Sequence, residues 1–161
     1  MLAMTIQACH CEERSDDAIS GRLAAPLIIV HSLGQAIAAL TAAARAGRPL
    51  VLASASGAAS YVGPGWFGAL IGAARAAVPD ARFSTLLDCG DDVGAALAAI
   101  RTEIEGVVFT GRADVARRLA DIARQHGVRL MTDRPEAALD LGDDFFASQE
   151  GLEQHCIDLL T

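Results

Sequence analysis

The chain has 161 residues, a net charge of −7, and 52% hydrophobic residues although only 4% are aromatic. This length fits one domain, and the apolar content argues against a chain that is disordered throughout. The negative charge disfavours nucleic-acid and anionic-membrane partners, and no apolar run approaches the ~20 residues that cross a bilayer. All 13 basic residues are Arg, so the absence of Lys excludes imine catalysis by this chain.

The first twenty residues differ from the rest. Met1–Ser20 mixes charges without a lasting apolar period, so we expect a disordered or non-native leader before a single α/β domain over residues 21–161. Metal binding by Cys9, His10 and Cys11 is the alternative, but adjacent residues rarely all face one tetrahedral ion. The four cysteines form no disulfide framework, which indicates reduced thiols in a cytoplasm. The abundant Ala, Gly and Arg are typical of a GC-rich bacterial genome.

From Pro26 onward, short apolar runs alternate with long Ala-rich stretches. The runs predict five buried strands, at Leu27–Val30, Leu50–Ala53, Phe83–Leu87, Val107–Thr110 and Val128–Met131. The stretches between them predict helices at Leu33–Ala46, Trp66–Val78, Asp92–Thr102 and Ala113–Gln125. Strand–helix–strand units of this length require right-handed crossovers and a parallel sheet.

The predicted fold is therefore α/β, a parallel five-stranded sheet with crossover helices. Half of a TIM barrel and a flavodoxin-like three-layer sandwich both suit this pattern. After Met131 the segment is turn-rich and acidic. There we expect a short strand at residues 144–148 and a closing helix at Gln149–Leu160.

Ligands of parallel α/β sheets bind beyond the carboxyl ends of the strands. The loop from Ser54 to Gly65 is long, small and polar. Its hydroxyls and backbone N–H groups, at Ser54, Ser56 and Gly57, predict an anion-binding site, although the loop could be a flexible connection only. His31 follows the first strand and could exchange a proton or bind a ligand.

Asp88 and Cys89 end the third predicted strand, and Gly90 permits a tight turn after them. A carboxylate beside a thiol at a strand's carboxyl end suits a general base next to a metal ligand. In the alternative interpretation, the acidic residues of this segment serve only turns and helix caps, with Asp91 or Asp92 capping the next helix.

Several segments together resemble the class II, metal-dependent fructose- or tagatose-bisphosphate aldolases. They read VHSLGQAIAALTAAARAGRPLVLASASGAASYVGPGW, LLDCGDDVGAALAAI, VVFTG and ADVARRLADIARQHGVRL, in the family's order. The resemblance concerns the N-terminal half of the barrel and implies a zinc ion that polarises a carbonyl while an Asp assists proton transfer.

Carried over by residue, the resemblance implies that Asp88 is the catalytic aspartate and that Cys89 replaces a zinc-ligand His. Asp133 falls near a family Glu and would be a second metal ligand. Ile29 stands where the family has a substrate-binding Asn, and Thr110 replaces an Asp. The family's other zinc and phosphate ligands come from later strands, which have no counterpart in these 161 residues.

Three hypotheses follow. The chain is a degenerate aldolase-like domain without efficient catalysis and without a cofactor, or it is a zinc-dependent lyase completed by oligomerisation. The third is an α/β module that binds a small phosphorylated metabolite. An open half barrel exposes sheet edges, so we also expect a homodimer that covers them.

Overall fold

The computed structural model describes residues 25–102 and 104–161, so the predicted leader at residues 1–20 lies outside the described residues. Six strands occupy Leu27–Ile29 (β1), Leu50–Ala53 (β2), Phe83–Asp88 (β3), Gly106–Val108 (β4), Arg129–Met131 (β5) and Leu139–Asp140 (β6). Six helices occupy Leu33–Ala46 (α1), Ala58–Val62 (α2), Pro64–Ala77 (α3), Val93–Ile100 (α4), Ala113–Gln125 (α5) and Gln149–Leu160 (α6).

The helix ends follow from local chemistry. The Ser32 hydroxyl accepts a hydrogen bond from Gln35 N and so caps α1, which ends at Gly47 in the left-handed conformation with φ 65°. Asp92 and Ser148 cap α4 and α6 in the same way. The short helix α2 lies inside the loop that the sequence predicts as a polar connection.

All six strands are parallel, in the order β5-β4-β3-β2-β1-β6. The parallel α/β class is confirmed, with a sixth strand beside β1. Strand β2 lies between β1 and β3. A flavodoxin-like sheet instead places β1 between β2 and β3, so that alternative is wrong for the described strands. The consecutive order of β1 to β5 is the order of a barrel segment.

The longer helices cover one face of the sheet. Right-handed crossovers between consecutive neighbours carry every connecting helix to the same side. Accordingly, α1 packs between α6 and α3, and α4 follows between α3 and α5. The main core lies between these helices and strand residues such as Ile28, Leu52 and Leu87. None of the helices in the described part of the chain is long and apolar enough to cross a membrane.

The opposite face carries a second, smaller core. Side chains alternate along a strand, so Val51 and Ala53 point away from the helices and join Leu27, Leu86 and Val108. In a closed barrel this face would line the interior. Here a connection without regular secondary structure passes over it.

That connection is the strap, defined as Thr132–Ala138, which joins β5 at one edge of the sheet to β6 beyond the other. Five strand spacings of about 4.8 Å separate these edges, roughly 24 Å in a flat sheet, and a chain advances at most ~3.6 Å per residue. The strap spans the face without regular secondary structure, and it bends near its ends, at Thr132, Asp133 and Ala138. Pro135 contributes to the lack of helix because it disfavours helical backbone at the residue before it.

One expectation for this region is wrong. Residues 144–148 form turns leading into α6 rather than a short strand, and the strand lies earlier, at Leu139–Asp140. Its two residues pair with Ile28 and Ile29 of β1. A two-residue strand carries too little apolar periodicity to be recognised in a sequence.

Candidate functional site at the carboxyl edge of the sheet

The structure places most of the predicted site residues at one edge. His31 follows β1, Ser54 follows β2, Asp88 ends β3 and Asp133 follows β5. Parallel strands bring their carboxyl ends to the same edge of a sheet, which is where ligands of α/β proteins bind. The edge was predicted, but its hydrogen bonds and charges decide what the residues can do.

Asp88 lies at the centre of this edge and all its contacts are internal. Its Oδ1 accepts from Gly57 N at 2.8 Å and Gly90 N at 2.9 Å, and its Oδ2 accepts from Arg134 Nε at 2.6 Å. The Asp88 side chain is only 5% exposed, whereas that of Arg134 is 45% exposed. Charge-assisted hydrogen bonds offset the loss of hydration of a buried carboxylate. The hydrogen bond to Asp88 also raises the pKa of Arg134 above its usual range.

The two glycines that donate to Asp88 both need left-handed backbone, with φ 63° at Gly57 and φ 56° at Gly90. Glycine adopts this conformation without the penalty that a Cβ brings. The Gly57 N–H, which the sequence predicts as a donor to an external anion, donates instead to the carboxylate of Asp88.

The Ser54 side chain forms hydrogen bonds within the protein, whereas the Ser56 side chain faces solvent. The Ser54 hydroxyl accepts from Asp88 N at 2.9 Å and donates to Ala55 O at 3.0 Å. The Ser56 side chain is exposed, and its carbonyl accepts from the Tyr61 hydroxyl at 3.3 Å. Anion binding by Ser54, Ser56 and Gly57 stays a prediction, and two of the three polar groups have partners within the protein.

Cys89 points away from Asp88, into the main core on the helix side of the sheet, and is fully buried. Burial, assisted by the charges of Asp88 and Asp92, raises the pKa of the Cys89 thiol to about 12. Zinc binds the thiolate, so the raised pKa of Cys89 and its burial on the helix side of the sheet both disfavour a metal ion there.

Asp133 is exposed and accepts a hydrogen bond from the Thr132 hydroxyl at 3.3 Å. Within residues 25–102 and 104–161, no group of three His, Cys, Asp or Glu side chains could hold a metal ion. The described residues, Cys89 and Asp133 included, therefore do not fit the zinc site that the aldolase resemblance implies.

His31 belongs to a second hydrogen-bonded group at this edge. Its Nε2 lies 2.7 Å from Asp140 Oδ1, which also accepts from Gly142 N at 2.9 Å. Burial alone would raise the pKa of Asp140, but the hydrogen bonds from His31 and Gly142 hold it below its usual range. Ligand binding by His31 stays a prediction, and its imidazole already has a carboxylate partner.

Gln35 joins the same group to the core. It is buried, its Oε1 accepts from His31 N at 2.7 Å, and its Nε2 donates to Leu141 O at 2.7 Å. These bonds tie α1 to the turn after β6.

Sequence reasoning missed Arg134 and Asp140. Arg134 is the last basic residue of the chain, within an acidic segment, and that isolated positive charge was a usable signal. No pattern in the sequence near Asp140 predicts the two-residue strand that places Asp140 beside His31.

No family model and no curated protein matches the sequence. Among solved structures, the chain is similar to one from Coccidioides immitis provisionally named a fructose-1,6-biphosphate aldolase, with a TM-score of 0.54 and 19% sequence identity. The match covers 66% of this chain and 44% of that one, so the chain spans less than half of that aldolase's length. At this identity the likeness shows a shared aldolase-like α/β fold.

Proposed function

We propose that the chain is a degenerate class II aldolase-like domain that does not cleave ketose bisphosphates and acts as a binding domain. One observation carries the proposal. The carboxylate matched to the catalytic Asp is enclosed by Gly57 N, Gly90 N and Arg134. It joins the strap to the sheet, and in this arrangement it is not free to take a proton from a substrate.

The enclosure matters because a general base must lie within hydrogen-bond reach of the proton that it removes. Asp88 is 5% exposed, and Arg134 occupies Oδ2. Arg134 and Pro135 also lie over Leu27, Ile29 and Leu86, around a cavity of ≈ 10 Å³. This space holds about one water molecule, so a ketose bisphosphate could enter only after the strap had moved.

The neighbouring residues support the same proposal. Cys89 is buried in the core, and burial raises the pKa of its thiol. Ile29 also lines the small cavity and offers no polar contact where the resemblance implies a substrate-binding Asn. The resemblance implies a metal ion and a polar substrate contact, and the surroundings of Cys89 and Ile29 disfavour both.

A direct assay tests this proposal. Purified chain is supplied with Zn²⁺ and either fructose or tagatose bisphosphate, and triose phosphate formation is followed with a coupled enzyme. We expect no rate above that of Zn²⁺ alone. Zinc-dependent turnover that disappears in Asp88→Asn would overturn the proposal.

The Arg134→Gln variant distinguishes two reasons for inactivity: enclosure of Asp88 by Arg134, and the lack of a metal site. If Arg134 alone blocks Asp88, this variant gains zinc-dependent cleavage. We expect it to stay inactive because residues 25–102 and 104–161 form no metal site. Arg112→Gln is the matched control, since Arg112 pairs with Asp114 on the surface at 3.1 Å.

A further inference from the structure

We infer that the carboxyl edge of the sheet is a docking surface for a positively charged polypeptide segment with apolar side chains. Among the described residues, every exposed large apolar side chain lies at this edge. We call this set the apolar rim: Leu33, Tyr61, Val62, Trp66, Val93, Phe145 and Phe146. The inference does not depend on whether the chain cleaves an aldol.

The apolar rim follows the arrangement of the helices. Phe145 and Phe146 precede α6, and Leu33, Trp66 and Val93 lie in the first turns of α1, α3 and α4. These four helices are neighbours in the order α6, α1, α3, α4, so the side chains form an arc on one end of the domain. Clustered exposed apolar side chains mark interaction sites far more often than scattered ones do.

Aromatic residues dominate the arc. Phe146 is 96% exposed and packs edge-to-face on Phe145, with ring centroids 5.3 Å apart. Tyr61 and Trp66 are the other aromatic members of the apolar rim, and aromatic residues are enriched at protein interfaces. Their rings also attract cationic side chains.

The loop that carries the two Phe residues is held at both ends. Leu141 is buried where the loop begins, and Ser148 caps α6 where it ends. Between them, Asp144 Oδ2 lies 2.8 Å from His155 Nδ1 on α6. A surface ordered before binding loses less conformational entropy when a partner docks.

The charge at this edge identifies the partner. Both Arg residues there are already paired, Arg112 with Asp114 and Arg134 with Asp88. Among the described residues, five exposed acids at this edge form no ion pair: Asp91, Asp92, Asp133, Asp143 and Glu150. The opposite end carries Arg48, Arg82 and Arg129, each at or within two residues of a strand's start. Complementary charge steers association and excludes partners of like charge.

These charges exclude other occupants. Two copies meeting rim to rim would place the same acids against each other. A head-to-tail copy would bring an end that shows no exposed large apolar side chain in the described part of the chain. Anionic lipid and nucleic acid are repelled. A cationic segment with apolar side chains complements both the exposed acids and the apolar rim.

The chain's single Trp reports directly on this surface. Trp66 is 44% exposed on the apolar rim, so docking there should remove water from its indole and shift its emission to shorter wavelength. The test titrates the full chain with a synthetic peptide that alternates Arg and Leu, measuring affinity by calorimetry and location by Trp66 emission. Length-matched peptides alternating Arg with Ser, and Glu with Leu, are the controls.

We expect saturable binding of the Arg–Leu peptide alone, with a Trp66 shift. Phe146→Ser should weaken it at least about five-fold. Asp143→Asn should weaken it about two-fold, whereas Asp80→Asn, the same charge change at the opposite end, should leave it unchanged. Circular dichroism confirms that each variant is folded.

Four results would overturn the inference. The first is equal binding of the Arg–Ser or Glu–Leu peptide, and the second is binding without a Trp66 shift. The third is no binding of the Arg–Leu peptide. The fourth is a Trp66 shift caused by raising the protein concentration alone or by phosphatidylserine vesicles, which would assign the surface to a second copy or to a membrane.

Discussion

The Arg134 guanidinium donates from Nε to Asp88 Oδ2 at 2.6 Å, joining two residues 46 positions apart in the chain. One residue lies on the strap and the other ends strand β3 near the middle of the sheet. This bond fixes the strap over the face that would be the interior of a closed barrel. The same bond gives the Asp88 carboxylate, which the aldolase resemblance assigns to catalysis, a charged partner within the protein.

Removing Arg134 should therefore destabilise the protein. In Arg134→Gln the buried Asp88 carboxylate loses its charged partner, and we expect a loss of about 2 kcal/mol in the free energy of unfolding. Arg112→Gln breaks an exposed pair and should change it by less than about 0.5 kcal/mol. Urea denaturation of the two variants measures both values, and equal effects would show that the Asp88 pair is no stronger than a surface pair.

The turn that encloses Asp88 should favour glycine at Gly90. Its φ of 56° is left-handed, and an added Cβ would meet no atom closer than 3.8 Å, so Gly90→Ala should lose about 1 kcal/mol from backbone conformation alone. Gly68→Ala lies within α3 in open space and should gain about 0.5 kcal/mol. Thermal or urea unfolding that gave both substitutions the same sign would contradict this assignment.

The His31–Asp140 pair should make stability depend on pH in the acidic range. Hydrogen bonds from His31 and Gly142 outweigh burial and lower the pKa of Asp140 from 3.8. Its contribution is thus complete above the unfolded-state pKa and is lost as the pH falls through the lower folded-state pKa. Asp140→Asn should be less stable than the parent at pH 6, and the difference should shrink below about pH 4.

Asp143→Asn is the matched control for that series, since Asp143 is exposed and has no hydrogen-bond or ion-pair partner among the described side chains. It should differ little from the parent at either pH. A gap between parent and Asp140→Asn that persists unchanged at pH 2 would mean that the pair acts through packing and not through the carboxylate's charge.

Two buried thiols should resist alkylation in the folded chain. Burial and neighbouring acids raise the pKa of Cys89 to about 12 and that of Cys156 to about 11. Only the thiolate reacts, so at pH 8 iodoacetamide should label both at least about 100-fold more slowly than in urea. Peptide mass spectrometry reads each site separately. Rapid labelling of Cys89 in native buffer would place it in an accessible, reactive position.

The sequence predicted the regular part of the fold closely. The helices at Leu33–Ala46, Ala113–Gln125 and Gln149–Leu160 form over the predicted residues, and the ends of the five predicted strands differ by at most two positions. Long periodic stretches with caps and buried apolar runs carry this information locally. The choice between half barrel and sandwich depends on strand order, which no local pattern contains.

The candidate site was predicted less completely. The carboxyl edge and Asp88 were identified, but the direction of Cys89 was not, because a residue just beyond a strand can face either side. The role of Arg134 depends on the strap, whose course from β5 to β6 has no helical or strand period. Long-range pairs of this kind appear only when the sheet order is known.

Zinc stoichiometry distinguishes a degenerate domain from one that keeps an aldolase-like metal site. Native mass spectrometry of the chain after Zn²⁺ addition is compared with Cys89→Ala, and with Cys9→Ser/Cys11→Ser to control for the cysteines outside the described residues. We expect that any retained zinc is unaffected by Cys89→Ala. One tightly bound zinc per chain that is lost in Cys89→Ala and kept in the double Ser variant would contradict it.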